Sequence, residues 1–182
     1  MRKSVTKKHV LFTVGHSTRT IKEFITLLKA HGVETVADIR TIPRSRHNPQ
    51  FNENRLHNSL EKIEIKYVHL ETLGGLRHTK KDSKNTGWRN ASFRGYADYM
   101  ATPEFTSGLQ TLEKLAEKST TAIMCAEALP WRCHRSLVGD ALSKRGWSVY
   151  DIMSESNAPK HRTTPFLKVR AGVLIYPAPK AA

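Results

Sequence analysis

Short apolar runs alternate along this chain with segments in which apolar residues recur every three or four positions. The runs are rich in β-branched residues and too short for helices, so they predict five strands. The predicted strands span residues 9–15, 33–40, 65–71, 120–125 and 147–152. The periodic segments predict four helices, at residues 20–32, 52–63, 102–118 and 134–146. Thr20 and Glu23 form a capping box at the start of the first helix.

This alternation is typical of a mostly parallel sheet with helices on both faces. We therefore predict a single α/β domain over residues 1–182, with a three-layer, Rossmann-like arrangement. Two segments stand outside the alternation. Residues 74–95 are polar and are interpreted as a basic loop or lid, and residues 160–182 as a C-terminal extension with a hairpin or an edge strand.

Polar side chains follow four successive predicted strands. In open α/β sheets ligands bind beyond the carboxyl ends of the strands, so these side chains are expected to share one pocket. The candidate catalytic residues are Cys125, Glu127, His16, His134 and Asp38. The candidate substrate-binding residues are Arg40, Arg44, Arg46, Arg132, Arg135, Trp131 and Arg77.

The charge of the chain narrows the choice of ligand. Thirty lysines and arginines against 16 aspartates and glutamates give a formal net charge of +14. Such an excess attracts polyanions, so we expect nucleic acid or a phosphate-bearing small molecule as partner. Trp88 and Phe93 lie among the basic residues of 74–95, a combination that suits stacking on bases. The alternatives are a basic surface without a specific partner and aromatic rings that pack on the domain.

Other classes of protein fit less well. No apolar run approaches the roughly 20 residues that span a bilayer. The basic start leads into a short strand rather than a signal peptide, so we expect no targeting segment, no membrane association and a cytoplasmic location. Two cysteines are too few for a disulfide framework.

Cys125 is expected at a strand end, before a loop and the start of a helix. Backbone N–H groups and the nearby Arg132 and Arg135 would lower the pKa of its thiol and favour the thiolate. Cys125 is therefore the candidate nucleophile, and Glu127, His16 or His134 would move protons. No cofactor is required for this chemistry.

Three other interpretations of the cysteines stay open. Cys125 could be a buried structural residue. Cys125, Cys133 and His134, with His16 or Glu127, could hold zinc or iron. Cys125 and Cys133 could form a reversible disulfide.

Several other candidates also have structural interpretations. Asp38 lies in an apolar strand, where Arg40 or Arg44 could neutralise its charge. His16 could cap the following helix, and Glu127 could be a first-turn carboxylate favoured by the helix dipole.

The cysteine, loop and arginine resemble the active sites of rhodaneses and cysteine phosphatases, in which the loop holds an anionic sulfur or phosphoryl group. The segment CHRSLVGDALSKRGWSVYDI also resembles the rhodanese helix and following strand, and VADIR resembles that family's Asp-x-Arg strand. The loop between Cys125 and Arg132 is longer here and contains a proline and a tryptophan.

Several longer segments resemble the bacterial and archaeal domain-of-unknown-function family 488 over nearly the whole chain. They are TVGHSTRTIKEF, VADIRTIPRSRHNPQFN, YVHLETLGGLR, GYADYM and MCAEALPWRCHRSLVGDAL. The resemblance implies no established activity. The leading hypothesis is an enzyme acting on an anionic substrate. The alternatives are a non-catalytic nucleic-acid or nucleotide-binding module, rhodanese-like sulfur transfer and a metal-dependent enzyme.

Overall fold

A computed structural model describes residues 9–179 of the chain. Its five longer strands are β1 (Val10–Gly15), β2 (Thr35–Asp38), β3 (Lys66–His69), β4 (Thr121–Cys125) and β5 (Ser148–Asp151). They form one sheet in the order β3-β2-β4-β1-β5, and every pairing is parallel. All five carboxyl ends therefore lie at one edge, with β4 at the centre.

Five α-helices connect or flank these strands. They are α1 (Ile21–Ala30), α2 (Glu53–Glu61), α3 (Ala91–Tyr99), α4 (Pro103–Lys118) and α5 (Arg135–Lys144). The predicted capping box at α1 is present: the backbone N–H of Glu23 donates to Thr20 Oγ1, and that of Thr20 donates to the Glu23 carboxylate. The first residues of α3 fall in the segment predicted as loop, where Asn90 caps the helix through its side chain.

The core divides into two layers because successive strand residues face opposite sides of the sheet. Val36 and Met124 pack with Phe24 and Leu28 of α1, together with residues of α2. On the other side, Ala37, Ile123 and Cys125 pack with residues of α3, α4 and α5. The sheet is thus covered on both faces, which confirms the predicted three-layer α/β fold.

The C-terminal segment packs on the domain and meets the edge of the main sheet at an isolated antiparallel bridge between Lys160 and Tyr150 of β5. Its strands β6 (Lys168–Arg170) and β7 (Val173–Ile175) pair with each other in a separate antiparallel sheet. A hairpin or an edge strand was expected in this segment, and here β6 and β7, both short and largely exposed, form a hairpin. The fully buried Tyr176 anchors this segment, and its hydroxyl lies 3.1 Å from a carboxylate oxygen of Asp140 in α5.

The polar segment before α3 is held in place by one buried carboxylate. Asp98 of α3 accepts hydrogen bonds from the backbone of Lys80 and from the side chains of Ser83 and Asn85. Trp88 packs against rings that include Phe93, Phe166 and Tyr176.

Two of the sequence-based expectations concern the termini and the membrane. The basic start, residues 1–8, and residues 180–182 of the predicted extension lie outside the described residues. Across residues 9–179, none of the helices has the length and apolar character that a membrane span requires.

Candidate functional site

The carboxyl ends of β1, β2 and β4 bring the cysteine loop to the centre of the sheet. Gly15 of β1 is in register with Cys125 of β4, and the N–H of His16 donates to the Cys125 carbonyl over 3.0 Å. A Cβ on Gly15 would overlap the carbonyl of Glu127, so a glycine is needed where the two segments cross. Parallel pairing thereby places the GHS segment directly beside the cysteine loop.

Two thiols and one imidazole form a compact cluster below this edge. The chain leaves β4 at Cys125, passes through a short 3-10 helix (Pro130–Arg132) and returns at Cys133. The Nδ1 atom of His134 lies 3.9 Å from the Cys125 sulfur and 3.6 Å from the Cys133 sulfur. Both cysteines are buried and free. We call these three residues the thiol cluster.

The orientation of His134 is fixed by its surroundings. Its Nε2 lies 3.0 Å from the carbonyl oxygen of Ile39, which can only accept, so Nε2 carries the hydrogen. Nδ1 consequently faces the sulfurs, as an acceptor in the neutral ring and as a donor in the charged ring. A Cβ on Gly75 would lie only 2.5 Å from this Nδ1. A glycine at position 75 therefore leaves the space that the imidazole occupies.

The pKa values of the two thiols move in opposite directions. The hydrogen bond from Cys133 is the main reason why the pKa of Cys125 lies well below its usual range. Burial opposes the shift, and the hydrogen bond and charge of His134 and the charge of Arg135 support it. The same hydrogen bond, with burial, raises the pKa of Cys133 well above its usual range. Cys125 is thus the more acidic thiol of the pair.

Arg135 supports the loop from inside the protein. It is 1% exposed, and its guanidinium donates to the carbonyls of Val14, Glu127 and Ala128. All three acceptors belong to the strand ends and the cysteine loop. The structure therefore places Arg135 where it cannot contact a substrate, contrary to the expectation from sequence, and its charge acts on Cys125 instead.

The thiol cluster opens into a cavity of about 500 Å³, which we call the thiol cavity. Besides Cys125, Cys133 and His134 it is lined by residues that include Arg40, Arg44, Gly75, Phe93, Glu127 and Arg132. Within residues 9–179, the side chains of Arg44, Arg132 and Glu127 are exposed and make no hydrogen bond or ion pair. Two free guanidinium groups beside a thiolate suit the binding of an anion.

Asp38 belongs to a closed network. It is fully buried, forms an ion pair with Arg40 at 2.6 Å and accepts a hydrogen bond from the Tyr67 hydroxyl at 2.7 Å. Arg40 also donates to the carbonyl of Phe51. The structure assigns Asp38 to this ion pair rather than to the thiol cavity, because its oxygens are already engaged.

His16 is likewise enclosed. Its Nδ1 donates to the carbonyl of Ser17 at 2.8 Å, its Nε2 faces a nitrogen of Arg40 at 3.4 Å, and its ring stacks on Phe51. Burial, and to a smaller degree the charge of Arg40, lowers its pKa, so the ring is neutral at pH 7. Both nitrogens are engaged, which leaves His16 without a free position for moving a substrate proton.

The remaining candidates lie apart from the cluster. Arg77 covers the ring of Tyr99 at 3.7 Å and donates to the carbonyl of Gly74, so it packs locally. Trp131 is 61% exposed and lines a different cavity. Arg46 is exposed and lines neither of these cavities.

Sequence reasoning missed two parts of the site. Cys133 was considered only as a metal ligand or disulfide partner, whereas the structure places its thiol beside the same His134 nitrogen as Cys125, and it is the main cause of the lowered pKa of Cys125. Gly75, which makes room for His134, was not considered. The adjacent glycines of LGGLR were the available signal, since glycine often marks a close approach of the backbone to another group.

The thiol cluster has the donors of a metal site as well. One ligand atom from each of Cys125, Cys133 and His134 lies within 4.8 Å of the other two. Two sulfurs and an imidazole nitrogen suit zinc, and three protein ligands leave a fourth position open to the cavity.

Comparison with known proteins gives one result. No curated protein matches the chain, and no solved structure matches it. A family model described as "Domain of unknown function DUF488" matches residues 20–142, which include β2, β3, β4 and all three members of the thiol cluster. The comparisons show no similarity to rhodaneses. Because the matched segment covers more than half of the chain, this protein belongs to the DUF488 family.

Proposed function

We propose that this protein is an enzyme that attacks an anionic substrate with the thiolate of Cys125. The substrate class is a nucleotide, a nucleic acid or another phosphate compound. The observation that carries the proposal is the pairing of two buried thiols beside His134, at the floor of a cavity with free arginines. An inert structural cysteine needs neither a hydrogen-bond donor nor an adjacent cation.

Each residue of the site has a distinct task in this proposal. Arg44 and Arg132 hold the anion, since both reach the cavity and neither is engaged elsewhere among residues 9–179. The Cys133 thiol stabilises the Cys125 thiolate by donating a hydrogen bond. His134 orients its Nδ1 toward both sulfurs.

The chemistry is a displacement through a covalent intermediate. The Cys125 sulfur forms a bond to the electrophilic atom, the bond to the leaving group breaks, and the leaving group takes a proton from His134 or Glu127. Water then releases the group held on Cys125. Transfer of the outer sulfur of thiosulfate is a variant of the same displacement: Cys125 attacks that sulfur, sulfite leaves, and an acceptor thiolate then takes the sulfur from the Cys125 persulfide. A reducing compartment such as the cytosol would keep both thiols free for either reaction.

The proposal is tested by the pH dependence of Cys125 alkylation with iodoacetamide, followed by peptide mass spectrometry after metal chelation. We expect the rate constant at Cys125 to titrate well below the pKa of an ordinary thiol, about 8.5. Cys133→Ala removes the hydrogen-bond donor and should raise that midpoint, whereas Cys133→Ser keeps a donor and should raise it less. A Cys125 that stays unmodified in folded protein, or titrates as an ordinary thiol, contradicts the proposal.

A metal-dependent enzyme is the second candidate, favoured by the closeness of the three donor atoms. Elemental analysis of the purified protein separates the two. One equivalent of zinc or iron that protects Cys125 from alkylation until a chelator removes it would favour the metal site over the free nucleophile.

A non-catalytic nucleic-acid-binding module is the third candidate, supported by the net charge of +14 and the exposed Lys80, Lys81 and Lys84. Here affinity for DNA or RNA should fall steeply with salt concentration. Replacing these three lysines by glutamine should weaken binding, while Cys125→Ser should leave it unchanged.

A further inference from the structure

A second cavity of about 750 Å³ lies outside the thiol site. Its lining includes the rings of Trp88, Trp131 and Phe166, so we call it the aromatic cavity. Three prolines, Asp151 and His161 also line it. Lys160 and Arg162 stand at its rim; both are exposed, and neither side chain has a hydrogen bond or ion pair within residues 9–179. An open aromatic surface with free cations beside it suits a flat ring that carries negative charge nearby.

The exposed Trp131 is the most unusual member of this cavity. It is 61% exposed, although an indole ring usually gains stability from burial. The short 3-10 helix Pro130–Arg132 holds its backbone, so the ring is presented from a defined position rather than from a long loop. The side of Trp131 that faces the cavity is therefore available to a ligand.

The two cavities share one wall. Trp131 lines the aromatic cavity, and the next residue, Arg132, lines the thiol cavity. Trp88 lines the aromatic cavity and Phe93 the thiol cavity, and these two rings stack on each other with centroids 4.7 Å apart. Because Trp131 and Arg132 are adjacent in the chain, a ring on one and an anion on the other can belong to a single ligand that crosses this wall.

We infer that the aromatic cavity is a nucleobase subsite: it binds the base of a substrate whose phosphate lies between Arg132 and Arg44 in the thiol cavity. This inference rests on the proposed function for the position of the anion. The base stacks on Trp131, Lys160 and Arg162 attract the sugar-phosphate backbone, and Cys125 meets the phosphate end of the same ligand. Because one cavity would bind the base and the other the phosphate, the substrates would be nucleotides, either free or within a single strand.

The inference is tested by calorimetric binding to the Cys125→Ser variant, which keeps the cavity and cannot form the covalent intermediate. The probes are adenosine 5′-monophosphate, ribose 5-phosphate and a single-stranded adenine octanucleotide. We expect the mononucleotide to bind more tightly than ribose 5-phosphate, because only the former has a base. Trp131→Ala should weaken the mononucleotide about tenfold or more, as loss of base stacking does. It should leave ribose 5-phosphate unchanged.

Two further variants separate the possible outcomes. Trp131→Phe keeps a stacking ring and should retain most of the affinity, whereas Arg44→Gln should weaken the mononucleotide and ribose 5-phosphate alike. An octanucleotide that binds more tightly than the mononucleotide, and still needs Trp131, identifies a nucleic-acid strand as the source of the base. Equal affinities identify the free nucleotide.

The inference and the proposed function fail in different ways. Equal affinity for the mononucleotide and ribose 5-phosphate, with no effect of Trp131→Ala, overturns the nucleobase subsite and leaves the thiolate chemistry standing. Absence of binding by all three probes also overturns the subsite, as does octanucleotide binding that depends on salt but not on Trp131. A base-dependent affinity that requires Trp131, in a protein whose Cys125 titrates as an ordinary thiol, supports the subsite and rejects the enzyme.

Discussion

Alkaline pH should destabilise this protein through His161, a buried histidine outside the thiol cluster. His161 lies between two buried carboxylates, with Nδ1 3.0 Å from Asp151 and Nε2 3.1 Å from Asp140. Asp151 also accepts a hydrogen bond from Thr13 of β1, and Asp140 lies beside the hydroxyl of Tyr176. A charged imidazolium therefore ties the C-terminal segment to β1, β5 and α5.

The pKa of His161 gives the size of this effect. Burial alone would lower the pKa, but the hydrogen bonds and charges of Asp140 and Asp151 outweigh it and raise the pKa from 6.5 to about 9. A pKa raised in the folded state stabilises that state fully below the unfolded value, about 6.5, and the stabilisation is lost as the pH rises through about 9. The shift corresponds to roughly 3 kcal/mol at most.

The assay is urea unfolding followed by tryptophan fluorescence between about pH 6 and pH 10, for the wild type and for His161→Gln. Other groups titrate in both proteins, so the relevant quantity is the difference between their free energies of unfolding. We expect that difference to shrink by up to about 3 kcal/mol as the pH rises. His78→Gln is the matched control, since His78 is exposed. A difference between wild type and His161→Gln that stays constant with pH, or grows, would refute this reasoning.

Two more predictions follow from buried contacts. Gly75→Ala would place a Cβ 2.5 Å from Nδ1 of His134, so we expect the pH midpoint of Cys125 alkylation to rise by about one unit. Circular dichroism should show the fold retained, and an unchanged midpoint would count against the role of the histidine. Asp38→Asn leaves the Arg40 charge buried without its partner, which should lower the free energy of unfolding by about 3–5 kcal/mol. A loss below about 1 kcal/mol in denaturant unfolding would show that the pair is not a structural ion pair.

The five predicted strands and all four predicted helices were confirmed because their signals are local. The capping box of Thr20 and Glu23 and the proline after Thr102 mark the starts of α1 and α4 from a few neighbouring residues. Helix α3 was missed because its sequence begins inside a polar stretch and includes Gly95, a poor helix former. Gly95 packs tightly against the backbone of Arg77 and His78, which leaves no room for a side chain. This contact forms only in the folded domain, so the local sequence does not reveal it.

The candidate site was harder to predict because residue type does not reveal what surrounds a side chain. Arg44 and Arg135 are the same amino acid, yet one is exposed at the cavity and the other is buried among carbonyls. The sequence left two roles open for Asp38, catalysis and an ion pair. In the structure Asp38 lies 2.6 Å from Arg40, so it forms the ion pair. The sequence named the groups that gather at the strand ends, but not which of them remain free.

The sequence by itself determined the alternation of strands and helices, and with it the parallel sheet whose carboxyl ends collect polar side chains. Periodicity, caps and charge act over a few residues, so one chain is enough to read them. Only the tertiary structure decided that both thiols lie beside Nδ1 of His134, that Ile39 orients this ring, and that Trp131 and Arg132 face different cavities. Those facts depend on distances between segments that are remote in the chain, and such distances are set by packing the whole domain.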